Sequence, residues 1–370
     1  MLYELTNQQR LCLGLEPVGE SWRIVDLPRS AYDDYDTRIY LDGNCVRKMI
    51  LVGEKKYDEL TMDETLSADE KFLLPKTAKG KPVKLSAATI GKRKGVGMAI
   101  GYDRDYLMIF NDNTQQTYYD NRGEGYPLKS LDDFKIWVDR WCAETSEADL
   151  ADIQAFAARP RVHIAYKEGD FFRFRWNRKM WGYGRILLDY GKMRKDKAPF
   201  WDIFMGKALV ISVYPIVTEN PNLTIDDLAG RKALPSQLIA DNRFFYGAYE
   251  IIGNRPLTAA EEDFPIHYGE SLSSERALYF QCGRTYLRLP NVKELSNGWP
   301  GYHYHGVGFN LNVDLPTVQA CIREQSNRPY WSHPYHQVGR MNDDLRHPAL
   351  AKERAAIFRQ LGLREEDFMK

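Results

Sequence analysis

The sequence predicts an α+β fold in two domains, mainly antiparallel β-sheet with flanking helices, and three observations lead there. The chain has 370 residues, more than one ordinary core at roughly 100–200 residues per domain. Aromatic side chains are abundant, with 23 Tyr, 16 Phe and 8 Trp, and such rings pack well on a pleated, half-buried surface. Strand-like and helix-like segments alternate irregularly, without the repeating rhythm of a parallel βαβ sheet.

The first domain is expected over residues 1–159. Ser21 to Leu27 and Arg38 to Val52 read as strands, the second folded at Asp42-Gly43-Asn44, whose residues accept left-handed backbone angles. Lys76 to Lys94, rich in Lys and Gly, reads as a solvated loop. Gly97 to Phe110 reads as a hairpin turning at Asp103-Arg104-Asp105, and Gln116 to Asp120 adds a strand. Ser130 caps a helix in which Leu131, Phe134, Trp137, Val138 and Trp141 fall at helical spacing, an aromatic stripe that belongs to the core. Ser146 opens another helix that Pro160 ends, and the division falls there.

The second domain, residues 160–370, opens with Val162 to Tyr166 and an aromatic hairpin, KEGDFFRFRWNRKMWGYGRILL, from Lys167 to Leu188. Phe172, Phe174 and Trp176 alternate with Phe171, Arg173 and Arg175, the period of a strand with one face in the core. Gly182 and Gly184, two apart, leave bare backbone that invites a strand or an aromatic ring to approach. Lys192 to Lys197 reads as a charged loop, Phe200 to Phe204 as a short amphipathic segment, and Ala208 to Val217 as a buried central strand. Short elements follow at Thr224 to Leu228 and Pro235 to Ile239, then a strand from Phe244 to Gly253 and an acidic connection from Glu261 to Pro265. The last third carries strands at Thr285 to Leu289 and Gly301 to Asn310, a helix after Asp314, and a terminal helix from Ala349 to Leu361 closed by Gly362.

Charge and cysteine usage narrow the function. Lys plus Arg equals Asp plus Glu at 51 each, so net charge calls for neither nucleic acid nor an anionic membrane as partner. The five Cys are scattered and never in a CxxC spacing, which argues against a disulfide framework or a structural zinc site and for a reducing compartment. No basic segment followed by an apolar run opens the chain, and no stretch approaches the ~18 apolar residues of a membrane span. A cytoplasmic protein is therefore expected.

Catalytic signatures are weak. Gly95 to Gly101 offers a loose GxGxxxG, but it leads into a strand instead of opening a helix, so the dinucleotide fingerprint fails on context. GxSxG is absent, and Cys142, within the aromatic helix, is expected to be a buried, inert thiol. His303, His305, His333 and His336 form the one histidine cluster and suggest a metal-dependent hydrolase as a minor alternative. No Cys neighbours them, and no metal or other cofactor is expected. The hairpin is the stronger candidate. Arg173, Arg175, Trp176, Arg178, Trp181, Tyr183 and Arg185 combine the residue types that anchor protein interfaces. The same set could stack single-stranded bases and track phosphates, which keeps a nucleic-acid-binding alternative open.

Over residues 165–282 the second domain resembles the Immunity protein 26 family of bacterial polymorphic toxin systems. The resemblance lies in Glu168-Gly169-Asp170-Phe171-Phe172, in Trp181-Gly182-Tyr183-Gly184-Arg185-Ile186, and in the apolar run ending Val213-Tyr214-Pro215. Tyr249 to Leu257 (YEIIGNRPL), with Phe264-Pro265 behind, completes it, and the order of these segments along the chain is its stronger part. The resemblance implies a non-catalytic cytoplasmic protein that binds and neutralises a cognate toxin domain. Together with zero net charge it favours a protein partner for the hairpin over nucleic acid.

Overall fold

Tight turns with left-handed residues fold the first half of the chain back and forth on itself. In the computed structural model, which describes residues 2–29, 33–123, 128–200, 207–270, 277–290, 309–333 and 344–369, the chain divides into two units, Met1–Val162 and His163–Lys370.

The first unit runs α1 (Asn7–Cys12), β1 (Arg23–Leu27), β2 (Tyr35–Asp42), β3 (Cys45–Gly53), β4 (Lys56–Leu66), β5 (Phe72–Leu74), β6 (Val83–Lys84) and α2 (Ala87–Ile90). It continues with β7 (Met98–Asp103), β8 (Tyr106–Asn111), β9 (Gln116–Asp120), α3 (Leu131–Ala143) and α4 (Glu147–Ala157). The strands form one antiparallel sheet in the order β1-β2-β3-β4-β7-β8-β9, with β5 added to β4 and β6 to β5. Gly43 and Arg104 take positive φ at the two expected turns, the geometry that tight hairpins demand. Ser130 accepts the Asp133 N–H and starts α3, whose Phe134, Trp137, Val138 and Trp141 enter the core. The Phe134 ring stacks on Tyr57 at 4.9 Å and on Tyr102 at 5.3 Å.

β4 was not expected, because its sequence KYDELTMDETL hides a buried face behind charges. Glu59 on β4 is fully buried and accepts from Arg10 Nε at 2.8 Å, Lys48 Nζ at 2.8 Å and the Tyr57 hydroxyl at 2.6 Å. Burial pushes the Glu59 carboxyl up, but the Lys48 and Arg10 cations outweigh it and hold it below the usual carboxylate range. The Lys- and Gly-rich stretch is mostly exposed, yet it contains β6 and α2, the latter capped by Ser86.

The second unit runs β10 (Asp170–Arg175), β11 (Trp181–Asp189), α5 (Tyr190–Lys195), β12 (Ala208–Thr218), α6 (Ile225–Leu228), β13 (Gln237–Ala240), α7 (Asn242–Phe245) and β14 (Glu250–Asn254). After these come β15 (Ile266–Glu270), β16 (Ala277–Cys282), β17 (Thr285–Pro290), β18 (Phe309–Asn310), α8 (Leu315–Glu324), α9 (Arg328–Ser332) and α10 (Ala351–Leu361). One sheet has the order β14-β10-β11-β12-β13-β18 and the other β15-β16-β17. All described pairings in this unit are antiparallel except β13 with β18. The long apolar run lies centrally as β12, between β11 and β13.

Both faces of the six-stranded sheet are covered. Phe172, Phe174, Trp176, Ile186, Ile211 and Val213 pack with Phe244, Leu315, Val318 and Tyr330. Phe171, Tyr183 and Tyr214 pack with Leu228 on the other side. Burying each Phe contributes about 2–3 kcal/mol. The second sheet packs Ile266, Tyr268 and Phe280 against Ile357 and Phe358 of α10.

Three expectations change in this unit. The charged loop at Lys192 to Lys197 is largely helix α5, because Asp189 caps it and Tyr190 and Met193, three apart, are both buried. The segment from Phe244 begins as helical α7 and becomes strand only at Glu250, since Phe244 turns inward to meet Phe172 and Tyr249. β15 and β16 were not expected. Of the segment Phe200 to Phe204 only Phe200 lies within the described residues, and of Gly301 to Asn310 only β18 does.

Candidate protein interface

The hairpin β10–β11 places its residues by strict alternation. Phe172 lies across from Gly184 and Phe174 across from Gly182. A Cβ at 182 would sit 2.4 Å from Phe174 Cζ, and one at 184 would sit 2.4 Å from Phe172 Cζ, so each glycine is the seat of an aromatic ring. The opposite face carries Phe171, Arg173 and Arg175 across from Arg185, Tyr183 and Trp181. Asn177 closes the turn by accepting the N–H groups of Lys179 and Met180 at 2.9 Å each.

The seven expected interface residues separate into two groups. Trp176 is 4% exposed and packs in the core. Tyr183 is fully buried, and its hydroxyl donates to the Asn220 carbonyl at 2.6 Å. Arg185 is 1% exposed, paired with Glu261, and donates to the carbonyls of Arg255 at 2.6 Å and Pro256 at 3.1 Å. Its guanidinium also lies over the Phe171 ring at 4.4 Å. Arg185 is therefore a clamp that fastens the 255–261 loop to the sheet. Burial pushes the Glu261 carboxyl up, yet the Thr258 N–H and hydroxyl and the Arg185 and Arg255 cations hold it below its ordinary value. These three side chains serve the interior, so Trp176, Tyr183 and Arg185 depart from the expectation that they anchor an interface, although Trp176 does lie on the hairpin face expected to be core.

Arg173, Arg175, Arg178 and Trp181 remain partly exposed. Trp181 lies beneath two guanidiniums, Arg173 at 5.0 Å and Arg175 at 4.7 Å from its ring centre, a cation–π arrangement that orders all three side chains. Glu250 on β14 holds Arg173, accepting from Nε at 2.8 Å and Nη2 at 2.7 Å. Arg175 donates to the Arg178 carbonyl at 3.4 Å. The result is a cationic, aromatic ridge near the hairpin tip in which Arg173, Arg175 and Trp181 hold one another in place. Glu250 and Glu261, the counterions of this face, escaped sequence reasoning: they lie 77 and 76 residues from their arginines, and no periodicity reports such a pairing.

Of the histidine cluster, only His333 lies within the described residues. His333 Nε2 lies 3.1 Å from Asp314 Oδ2, while His303, His305 and His336 lie outside the described residues. Among the described residues no group of three or more His, Cys, Asp or Glu side chains could hold a metal ion. No helix among them is long and apolar enough to cross a membrane.

Residues 167–278 match the family model of Immunity protein 26. This segment runs from the start of the aromatic hairpin through the central strand β12 and the Glu250–Asn254 edge strand to the start of β16, and it agrees with the partial resemblance read from the sequence. The match supports an immunity-protein role in general terms. No curated protein and no solved structure matches the chain.

Proposed function

We propose that this chain is a bacterial cytoplasmic immunity protein that binds a cognate toxin domain and neutralises it by occlusion, without catalysis. The observation that carries the reading is the family match across the hairpin and its sheet. The ridge of Arg173, Arg175, Arg178 and Trp181 supplies the contact chemistry. Arginine and tryptophan are the residues most often found as interface anchors. Anchors already held by cation–π contacts and by Glu250 lose less entropy on binding. Guanidiniums at the tip also steer an acidic surface toward the site and set specificity. The units 1–162 and 163–370 act in this reading as two domains, the second of which makes the contact.

The test is a pull-down of the tagged chain from its native lysate, washed at high salt, with mass spectrometry of what remains. A toxin-domain protein that survives the wash supports the reading. Recovery of nucleic acid alone, lost as salt rises, would replace it with phosphate binding by the same hairpin.

A further inference from the structure

A cavity of about 370 Å³ opens beside the clamp residue Arg185, lined also by Tyr214, Arg231, Lys232, Trp331 and Arg346. Its volume falls in the range of small-molecule sites. Arg185 and Arg346 are nearly fully buried, at 1% and 5% exposure. Arg346 is saturated: it pairs with Asp344 and Asp263 at 2.7 Å each and donates to Ser236. Arg185 is not, because its buried Nε–H has no hydrogen-bond partner among the described residues. A buried donor of this kind is destabilising when nothing satisfies it. At the exposed rim, Arg231 and Lys232 have no ion pair among the described residues. The carboxylates that line the cavity, Glu261 and Asp263, are already engaged by Arg185 and Arg346. Arg231 donates its Nε–H to the Asp227 carbonyl at 2.5 Å, so Lys232 and the remaining guanidinium N–H groups of Arg231 stand at the rim of a cavity with a buried, unsatisfied arginine donor.

A second cavity, of about 500 Å³, shares Lys232, Leu234 and Asn327 with the first and adds the apolar surfaces of Pro215, Cys321 and Ile322. Through these three shared residues the two cavities adjoin, and taken together as one candidate site they offer a cationic end and an apolar end. We propose that this site binds a small organic dianion, a phosphomonoester or dicarboxylate attached to an apolar body. The anion would sit between Lys232, Arg231 and the Arg185 Nε–H, and the apolar part against Leu234 and Ile322. The proposal is independent of the immunity reading, since the cavity includes none of the exposed ridge residues.

The test is isothermal titration of the full chain at fixed ionic strength with phenyl phosphate, phthalate and inorganic phosphate. Saturable binding of phenyl phosphate or phthalate is expected, about tenfold tighter than inorganic phosphate because the apolar end adds burial. Lys232→Glu, a change at an exposed position, is expected to weaken it by about tenfold or more through charge reversal beside the anion, with the melting temperature unchanged. Absence of saturable binding by either organic probe overturns the proposal. Equal affinity for inorganic phosphate, or unchanged affinity in Lys232→Glu, overturns it as well.

Discussion

Gly182 and Gly184 give the fold its sharpest test, because the same substitution meets different obstacles two residues apart. A Cβ at 182 would lie 2.4, 2.7 and 2.9 Å from three atoms of the Phe174 ring, with nothing else as near. At 184 it would lie 2.4 Å from Phe172 Cζ and also 2.6 Å from the Ser212 backbone oxygen. Carbon contacts are comfortable near 3.5–4.0 Å, so each ring must retreat by about 1 Å. Overpacking of this kind costs about 1–3 kcal/mol. Gly182→Ala is expected near 2 kcal/mol, and Gly184→Ala at or above 3 kcal/mol, because a carbonyl on the neighbouring central strand cannot rotate aside. Leucine ends short of the ring Cζ position. Phe174→Leu should therefore relieve Gly182→Ala, with a coupling of about 1–2 kcal/mol in a double-mutant cycle, whereas Phe172→Leu should relieve Gly184→Ala far less. Urea unfolding with linear extrapolation measures all six variants. Equal costs at the two glycines, or no coupling between 182 and 174, would refute the packing argument.

Other predictions follow from the buried charges. Arg185→Met removes the Glu261 pair and two carbonyl contacts and should destabilise the second unit by about 3 kcal/mol, read as a fall in its melting temperature of about 6–12 °C; a loss under 1 kcal/mol would contradict the clamp. Glu59→Gln leaves Arg10 and Lys48 buried without their anion and should cost the first unit about 3–5 kcal/mol by urea unfolding, with Lys48→Met costing less because Arg10 still satisfies Glu59. Burial lowers the His267 imidazole from 6.5 to about 4. The unfolded chain then takes up the proton first as pH falls, so stability present above pH 6.5 is lost progressively down to about pH 4, by about 3 kcal/mol. Melting of wild type and His267→Phe across that window checks it: the difference between them should shrink by that amount on acidification, and parallel pH curves would contradict it.

Legibility in the sequence followed the range over which the physics acts. Local rules placed the turns at Gly43 and Arg104, the Ser130 and Ser146 caps, the Gly362 stop and the aromatic seats at Gly182 and Gly184. What failed was non-local. β4 was hidden because Glu59 looks solvated until Arg10 and Lys48 arrive from other elements. Arg185 looked like a surface cation because alternation places it beside Arg173 and Arg175, and only Glu261 and the carbonyls of the distant 255–256 loop draw it inward. Tyr183 was misjudged for the same reason, since the segment after β12 folds over it and supplies the Asn220 carbonyl. Arg173, Arg175, Arg178 and Trp181 keep partial exposure, while the pairing of Arg173 with Glu250, 77 residues away, leaves no mark in the local sequence.

Neutralisation in living cells tests the central claim most directly. A toxin domain recovered with this chain would be expressed alone, with the wild-type protein, and with the variant Arg175→Glu/Trp181→Ala, whose melting temperature is first matched to wild type. Growth restored by wild type and lost with the variant is the predicted result. Growth that wild type fails to restore, or that the variant restores equally well, would contradict the assignment of toxin binding to the hairpin ridge.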